Sequence, residues 1–116
     1  MANFDLWHKL CHERQALQEQ ERTDVLKRLF HALDHLADQY EWEDLYIFGS
    51  VLKSNQFGQH SDVDIAIKGL NKFLHYQFIA NLSSMIDRNV DVIRLEDECL
   101  FKDNIIEVGI KWKKNV

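Results

Sequence analysis

Two acids of this sequence, Asp62 and Asp64, stand either side of a single apolar residue in the run Asp62–Val63–Asp64–Ile65–Ala66–Ile67. This alternation has the period of a β-strand. The two carboxylates are expected on one face with Cα atoms about 7 Å apart, while Val63, Ile65 and Ile67 turn into a core. Neighbouring like charges repel, and a hard divalent cation relieves them; Mg²⁺ takes carboxylate oxygens and shares them with substrate phosphates. Alone the pair is weak evidence, because Asp and Asn also crowd strand ends and turns. Upstream, Gly49–Ser50 closes the apolar run Leu45–Tyr46–Ile47–Phe48. Glycine there lets the backbone approach a ligand closely, and the residues after it can open a short helix whose free N–H groups favour phosphate. Lys53, one turn on, would meet a phosphate as a point charge. A third acid, Asp91, sits alone within Val90–Asp91–Val92–Ile93.

The elements that must position these residues follow from periodicity. From Phe4 to Tyr40 the apolar residues recur at helical spacing, interrupted by the polar stretch Gln18–Arg22 and by Thr23, a candidate N-cap. One long helix or two both satisfy this pattern. A single helix of about 30 residues would outrun a small domain's diameter, so part of it is expected to project toward a partner. Leu45–Phe48, Asp62–Ile67 and Val90–Ile93 read as strands. Asn71–Met85 reads as an amphipathic helix with Phe73, Leu74, Phe78, Leu82 and Met85 on one side. A last helix is expected from about Asp97 to Val108, ended by Gly109, with Ile110–Trp112 as a terminal edge strand. Strands separated by helices predict an α/β (α+β) fold, a small mixed sheet flanked by helices. Residues 1–40 read as a helical extension packing on the core or a partner, and residues 41–116 as the core of what is one domain overall.

Composition narrows the classes. At 116 residues there is room for one ordinary core. The formal net charge of −5 argues against a surface built to grip a nucleic-acid backbone, and Lys111, Lys113 and Lys114 read as a solvated tail. No apolar run approaches the ~20 residues that span a bilayer, and Met1 to Leu10 lacks the basic-then-apolar pattern of a secretory signal. With only Cys11 and Cys99, a disulfide scaffold is not expected and a reducing cytoplasm is. His8 and His12, and likewise His31 and His35, stand at i,i+4, but no third ligand has metal-site spacing, so they read as surface or partner-facing residues. Trp7, Trp42 and Trp112 have no basic interleaving and read as core or interface anchors.

Phe48–Gly49–Ser50, then Asp62–Val63–Asp64–Ile65–Ala66–Ile67, then Asp91 on a third strand is a defined order. It resembles the polymerase-β-like nucleotidyltransferase superfamily, specifically its minimal nucleotidyltransferase branch. Asn104–Ile110 looks like that family's last helix turning into a final strand, so the resemblance spans about Asp44 to Trp112. It implies that Asp62, Asp64 and Asp91 are catalytic and hold two Mg²⁺ ions, and that Gly49, Ser50, Lys53 and Ser61 bind the nucleotide, with ATP as substrate. It further implies that Asp91 accepts the proton of the attacked hydroxyl. Small stand-alone relatives work with a helical HEPN protein in a toxin–antitoxin pair, where the nucleotidyltransferase is the antitoxin and transfers AMP to a tyrosine of the toxin. The chain departs from the family after Gly49–Ser50. Many relatives place a small residue, an arginine and a glycine there, whereas this chain has Val51–Leu52–Lys53–Ser54. Lysine lacks the bidentate fork that suits phosphate, and this favours an alternative in which the chain silences its partner by contact alone. A small hydroxylated acceptor, such as an aminoglycoside, would need a second domain to build its pocket.

Overall fold

In the computed structural model, residues 2–53, 57–58, 60–97 and 102–113 are described. The alternating segments form four strands: β1 (Asp44–Phe48), β2 (Val63–Lys68), β3 (Val90–Arg94) and β4 (Ile110–Trp112). They lie in the order β3-β2-β1-β4. β1 runs antiparallel to both β2 and β4, and β2 runs parallel to β3, so the sheet is mixed as the sequence predicts. A parallel pair needs a crossover, and α2 (His75–Ile86) supplies it.

One face of the sheet, with Leu45, Ile47, Val63, Ile65, Ile67, Val92 and Trp112 all buried, packs against α1 (Ala2–Leu36) and α2. From α1 come Val25, Leu29, Ala32, Leu33 and Leu36, a stripe at helical spacing that belongs to the same core. The aromatic residues close one end of it. Trp42 lies 5.5 Å from Trp112 and 5.7 Å from Phe78, centroid to centroid, with Tyr40 edge-on to Phe78. Trp42 and Trp112 are thus the anchors expected of them, while the side chain of Trp7 lies outside the described residues. The opposite face carries a smaller cluster of Ala66, Leu95 and Ile105, flanked by Tyr46, Phe48 and Ile93. Ile105 comes from α3 (Lys102–Val108).

The first helix is continuous. No glycine or proline precedes Gly49, and Gln18–Arg22 is made of good helix formers, so nothing breaks the hydrogen-bond ladder. Thr23 does not cap a second helix; its hydroxyl donates to the Glu19 carbonyl one turn back, at 2.9 Å. The N-terminal half runs past the core, which stretches the molecule to 60 × 29 × 26 Å. Leu6, Leu10 and Leu17 on that half are 57%, 55% and 68% exposed.

Two further expectations need correction. Phe73 and Met85 do not face the core: Phe73 is 81% exposed, and Ile86 is buried where Met85 was expected. The cause is local. The Asn71 side chain accepts from the Phe73 N–H at 2.9 Å and starts a 3₁₀ turn over Lys72–Leu74, whose tighter winding puts Phe73 out of phase with α2. The last helix also begins later than Asp97. That residue lies in a turn, its N–H on the Arg94 carbonyl at 3.2 Å, and residues 98–101, with Cys99, lie outside the described residues. Gly109 does end α3, by close approach: a Cβ there would fall 2.6 Å from the Ile105 carbonyl and 3.1 Å from that of Ile47. β4 then begins as the edge strand expected. No helix among the described residues is long and apolar enough to cross a membrane.

Candidate active site

Register brings two of the three acids together. Phe48 is the cross-strand partner of Asp64, and Asp64 is the partner of Asp91, so the three form a row across β1, β2 and β3. Cross-strand partners share a face, and this row lies on the face opposite α1 and α2, beside the Ala66–Leu95–Ile105 cluster. Asp62 precedes the first residue of β2 and so lies just outside the strand, exposed, as Asp91 is; Asp64 is half-buried. Val63, Ile65 and Ile67 between and beyond them are fully buried on the other face. Period-two alternation therefore does both jobs expected of it, filling the core and presenting carboxylates.

Burial and the charges of Asp91 and Asp62, in that order, hold the Asp64 carboxyl above the usual carboxylate range. An uncompensated cluster of negative charge behaves in this way. The donor set, carboxylate oxygens only, matches a hard divalent cation rather than a soft one. Among the described residues no three His, Cys, Asp or Glu side chains are already gathered around one point. Like charges repel, and the exposed Asp62 and Asp91 side chains have rotamers to draw on.

The corner after β1 closes against Asp64. Gly49 has φ 84° and ψ −156°, a conformation that only glycine adopts readily, and a Cβ on it would fall 2.2 Å from Asp64 Oδ2. The turn that follows, Ser50–Leu52, is 3₁₀ and three residues long. The helix expected there is therefore too short for a macrodipole, and what remains for an anion is the pair of leading N–H groups that such a turn leaves unused. Val51 is buried and anchors the turn. Lys53 follows it, exposed and extended, and Ser54 lies outside the described residues. Ser61, one residue before Asp62, accepts the Gly58 N–H on its hydroxyl at 2.9 Å, which leaves its own O–H free to donate.

Three residues that no motif flagged hold these loops. Arg88 donates to the carbonyls of Gly58 and Ser61 and pairs with Glu21, and Arg22 donates to the Val51 carbonyl. Their partners are 27 to 67 positions away in sequence, so no local pattern could reveal them. Beside Asp62, on the α1–α2 side, opens a polar cleft of about 780 Å³ lined by Ser61, Ser83, Ser84, Arg88 and Asn89. Of the three acids, Asp62 lines it and Asp64 and Asp91 do not. His31 and His35, exposed on α1, take no part in the site.

The sequence pattern of the family described as polymerase beta, nucleotidyltransferase, matches residues 32–114, well over half the chain. The chain belongs to this family. The matched stretch of this nucleotidyltransferase domain contains Gly49, Ser50, Asp62, Asp64 and Asp91 and begins inside α1. Among solved structures, the chain is similar to one reported as a crystal structure of a toxin–antitoxin with AMP-PNP. The TM-score is 0.57 at 21% identity, over 81% of this chain and 73% of that one. At that identity the likeness speaks to the fold alone, and with the family match it agrees with the polymerase-β-like fold of a minimal nucleotidyltransferase domain. No protein of curated function matches the sequence.

Proposed function

We propose that this nucleotidyltransferase is Mg²⁺-dependent, transfers AMP from ATP to a tyrosine hydroxyl of a HEPN-type toxin, and acts as that toxin's antitoxin in a hetero-oligomer. The observation that carries the reading is the Asp64–Asp91 pair across β2 and β3, with Gly49 packed on the Asp64 carboxylate. Support for the partner class comes from the toxin–antitoxin relative, from the small size of the domain and from the exposed leucines of α1. The negative net charge speaks for a protein rather than a nucleic-acid acceptor. A supply of ATP and two cysteines in no disulfide framework suit the cytoplasm.

Asp62, Asp64 and Asp91 would hold two Mg²⁺ ions, which supply charge neutralisation for the triphosphate and for the attacking oxygen. The Gly49–Ser50 backbone receives phosphate oxygens, which glycine's lack of a Cβ permits. Lys53 adds a point charge, and Ser61 offers its O–H. Asp91 accepts the proton of the acceptor hydroxyl. The hydroxyl oxygen then bonds to the α-phosphorus as the bond between that phosphorus and the α–β bridging oxygen breaks, and pyrophosphate leaves. The products are an AMP–tyrosine ester and pyrophosphate.

The test is transfer of labelled AMP from ATP with Mg²⁺, using the chain and its toxin partner. Label on a partner tyrosine, lost in Asp62→Asn with Asp64→Asn, is the expected result; equal label from that variant would sink the reading. A second reading, silencing by contact alone, is favoured by lysine at position 53. It predicts that the same double variant still binds and neutralises the partner.

A further inference from the structure

Arg88 stands outside every motif and is the most heavily engaged cation near the acids. Its side chain is only 10% exposed. Nη1 donates to the Gly58 carbonyl at 2.8 Å and to the Ser61 carbonyl at 2.7 Å. Nη2 pairs with Glu21 of α1 at 2.6 Å, and the guanidinium lies 4.4 Å from the centroid of the Phe57 ring. A cation so deeply placed persists because its charge is paired and its donors are used, and here the acceptors are the backbone of the loop that ends in Asp62.

The next residue of α1 reaches the other loop. Arg22 donates from Nη1 to the Val51 carbonyl at 3.2 Å, within the Gly49–Leu52 corner, while its remaining nitrogens pair with Glu19. Glu21 and Arg22 are therefore neighbours on one helix: Arg22 reaches the Gly49–Leu52 corner itself, and Glu21 reaches the Asp62 loop through Arg88. We infer that Arg88 and Arg22 are positioning residues with separate tasks. Arg88, braced by Glu21, sets the Asp62 loop for metal binding; Arg22 sets the Gly49–Ser50 corner for nucleotide binding; and α1 is the strut common to both. Lysine cannot replace either without loss, since an ammonium lacks the planar fork that spans two acceptors.

This inference rests on the metal-and-nucleotide reading of the site, and its test separates the two. Mn²⁺ binding to the full chain is titrated by paramagnetic resonance, Mg·ATP binding is measured at saturating Mg²⁺, and amide exchange is followed at Gly58 and Ser61. Arg88→Lys is expected to weaken Mn²⁺ binding about 10-fold or more, the usual cost of losing a residue that orients metal ligands. It should also speed exchange at Ser61. Arg22→Lys is expected to weaken Mg·ATP and leave Mn²⁺ binding and Ser61 exchange as they are. If both variants are folded and only their melting temperatures fall, the two arginines are structural alone and the inference is overturned. Glu21→Gln, which keeps the shape of its side chain, should shift Mn²⁺ binding in the same direction as Arg88→Lys; no shift removes α1 from the argument. A wild-type chain that binds no Mn²⁺ overturns the metal site itself and this inference with it.

Discussion

Gly49 and Asp64 are packed so closely that a Cβ on the first would fall 2.2 Å from Oδ2 of the second. The strand-end glycine is thus a spacer for the central carboxylate as well as a turn residue. Gly49→Ala would meet both a steric conflict and a φ of 84°, which side chains rarely adopt. Strain of this kind costs about 1–3 kcal/mol. The expected outcome is a lower melting temperature together with a loss of AMP transfer larger than the fall in stability explains, because Asp64 must move. Thermal denaturation beside the labelling assay checks it, and a variant with wild-type transfer would show that the close packing has no role in the reaction.

Asp64 sits where its negative charge is disfavoured. Its carboxyl is raised by burial, by Asp91 and by Asp62. The folded state therefore binds its proton more tightly than the unfolded state does, and stability falls as pH rises through that raised range. Asp64→Asn is accordingly expected to raise the melting temperature of the metal-free protein at neutral pH. The advantage should shrink as pH falls and vanish near the ordinary carboxylate value, where wild-type Asp64 is protonated too. Adding Mg²⁺ should raise the wild-type melting temperature and leave that of the variant nearly unchanged. Differential scanning calorimetry across pH, with and without the ion, measures all three; a destabilised Asn variant at neutral pH contradicts the argument.

The acids were legible because their signal is local. Alternation around Val63 and Val92 sets which side chains are buried and which carry charge, and the same alternation sets the register that aligns Asp64 with Asp91. The Gly49–Ser50 corner was legible for the same reason, as a break at the end of an apolar run. What the sequence could not disclose was contact at a distance, Arg88 with Glu21 and Arg22 with Val51, and the 3₁₀ turn at Asn71 that takes Phe73 out of phase with α2. The continuity of α1 lay between these cases. Propensity allowed it and the absence of glycine and proline did not forbid it, but Thr23 offered an equally local alternative that tertiary packing of Val25 and Leu29 overrode.

Core packing gives a sharper test of how α1 belongs to the domain. Leu29 is fully buried in the cluster that includes Ile47, Ile65 and Phe78. Leu29→Ala is expected to destabilise by about 2–5 kcal/mol, the usual cost of removing a buried leucine side chain, which at about 4 °C per kcal/mol lowers the melting temperature by about 8 °C at the lower figure and about 20 °C at the upper. Chemical denaturation gives the figure. A loss below ~1 kcal/mol would mean that the helix contributes little to the fold beyond its own backbone.

The N-terminal half of the same helix should behave in the opposite way. Leu6, Leu10 and Leu17 lie within about 40° of one another around the helix axis at 100° per residue, and each is more than half exposed. They form an apolar stripe that contributes little to the domain's own core, so removing residues 2–17 is expected to shift the melting temperature by no more than about 2 °C. Glu19, Glu21 and Arg22 stay in place in such a truncation, so Mn²⁺ and nucleotide binding should persist. Association with the toxin partner, measured by calorimetric titration against the full chain, should weaken by at least about 10-fold if the stripe is part of that interface. Replacing Leu10 and Leu17 together with Glu isolates the side chains from the helix length and should give the same loss. A truncated chain that binds its partner as tightly as the intact one would move the interface to the domain itself and leave the stripe without a role in pairing.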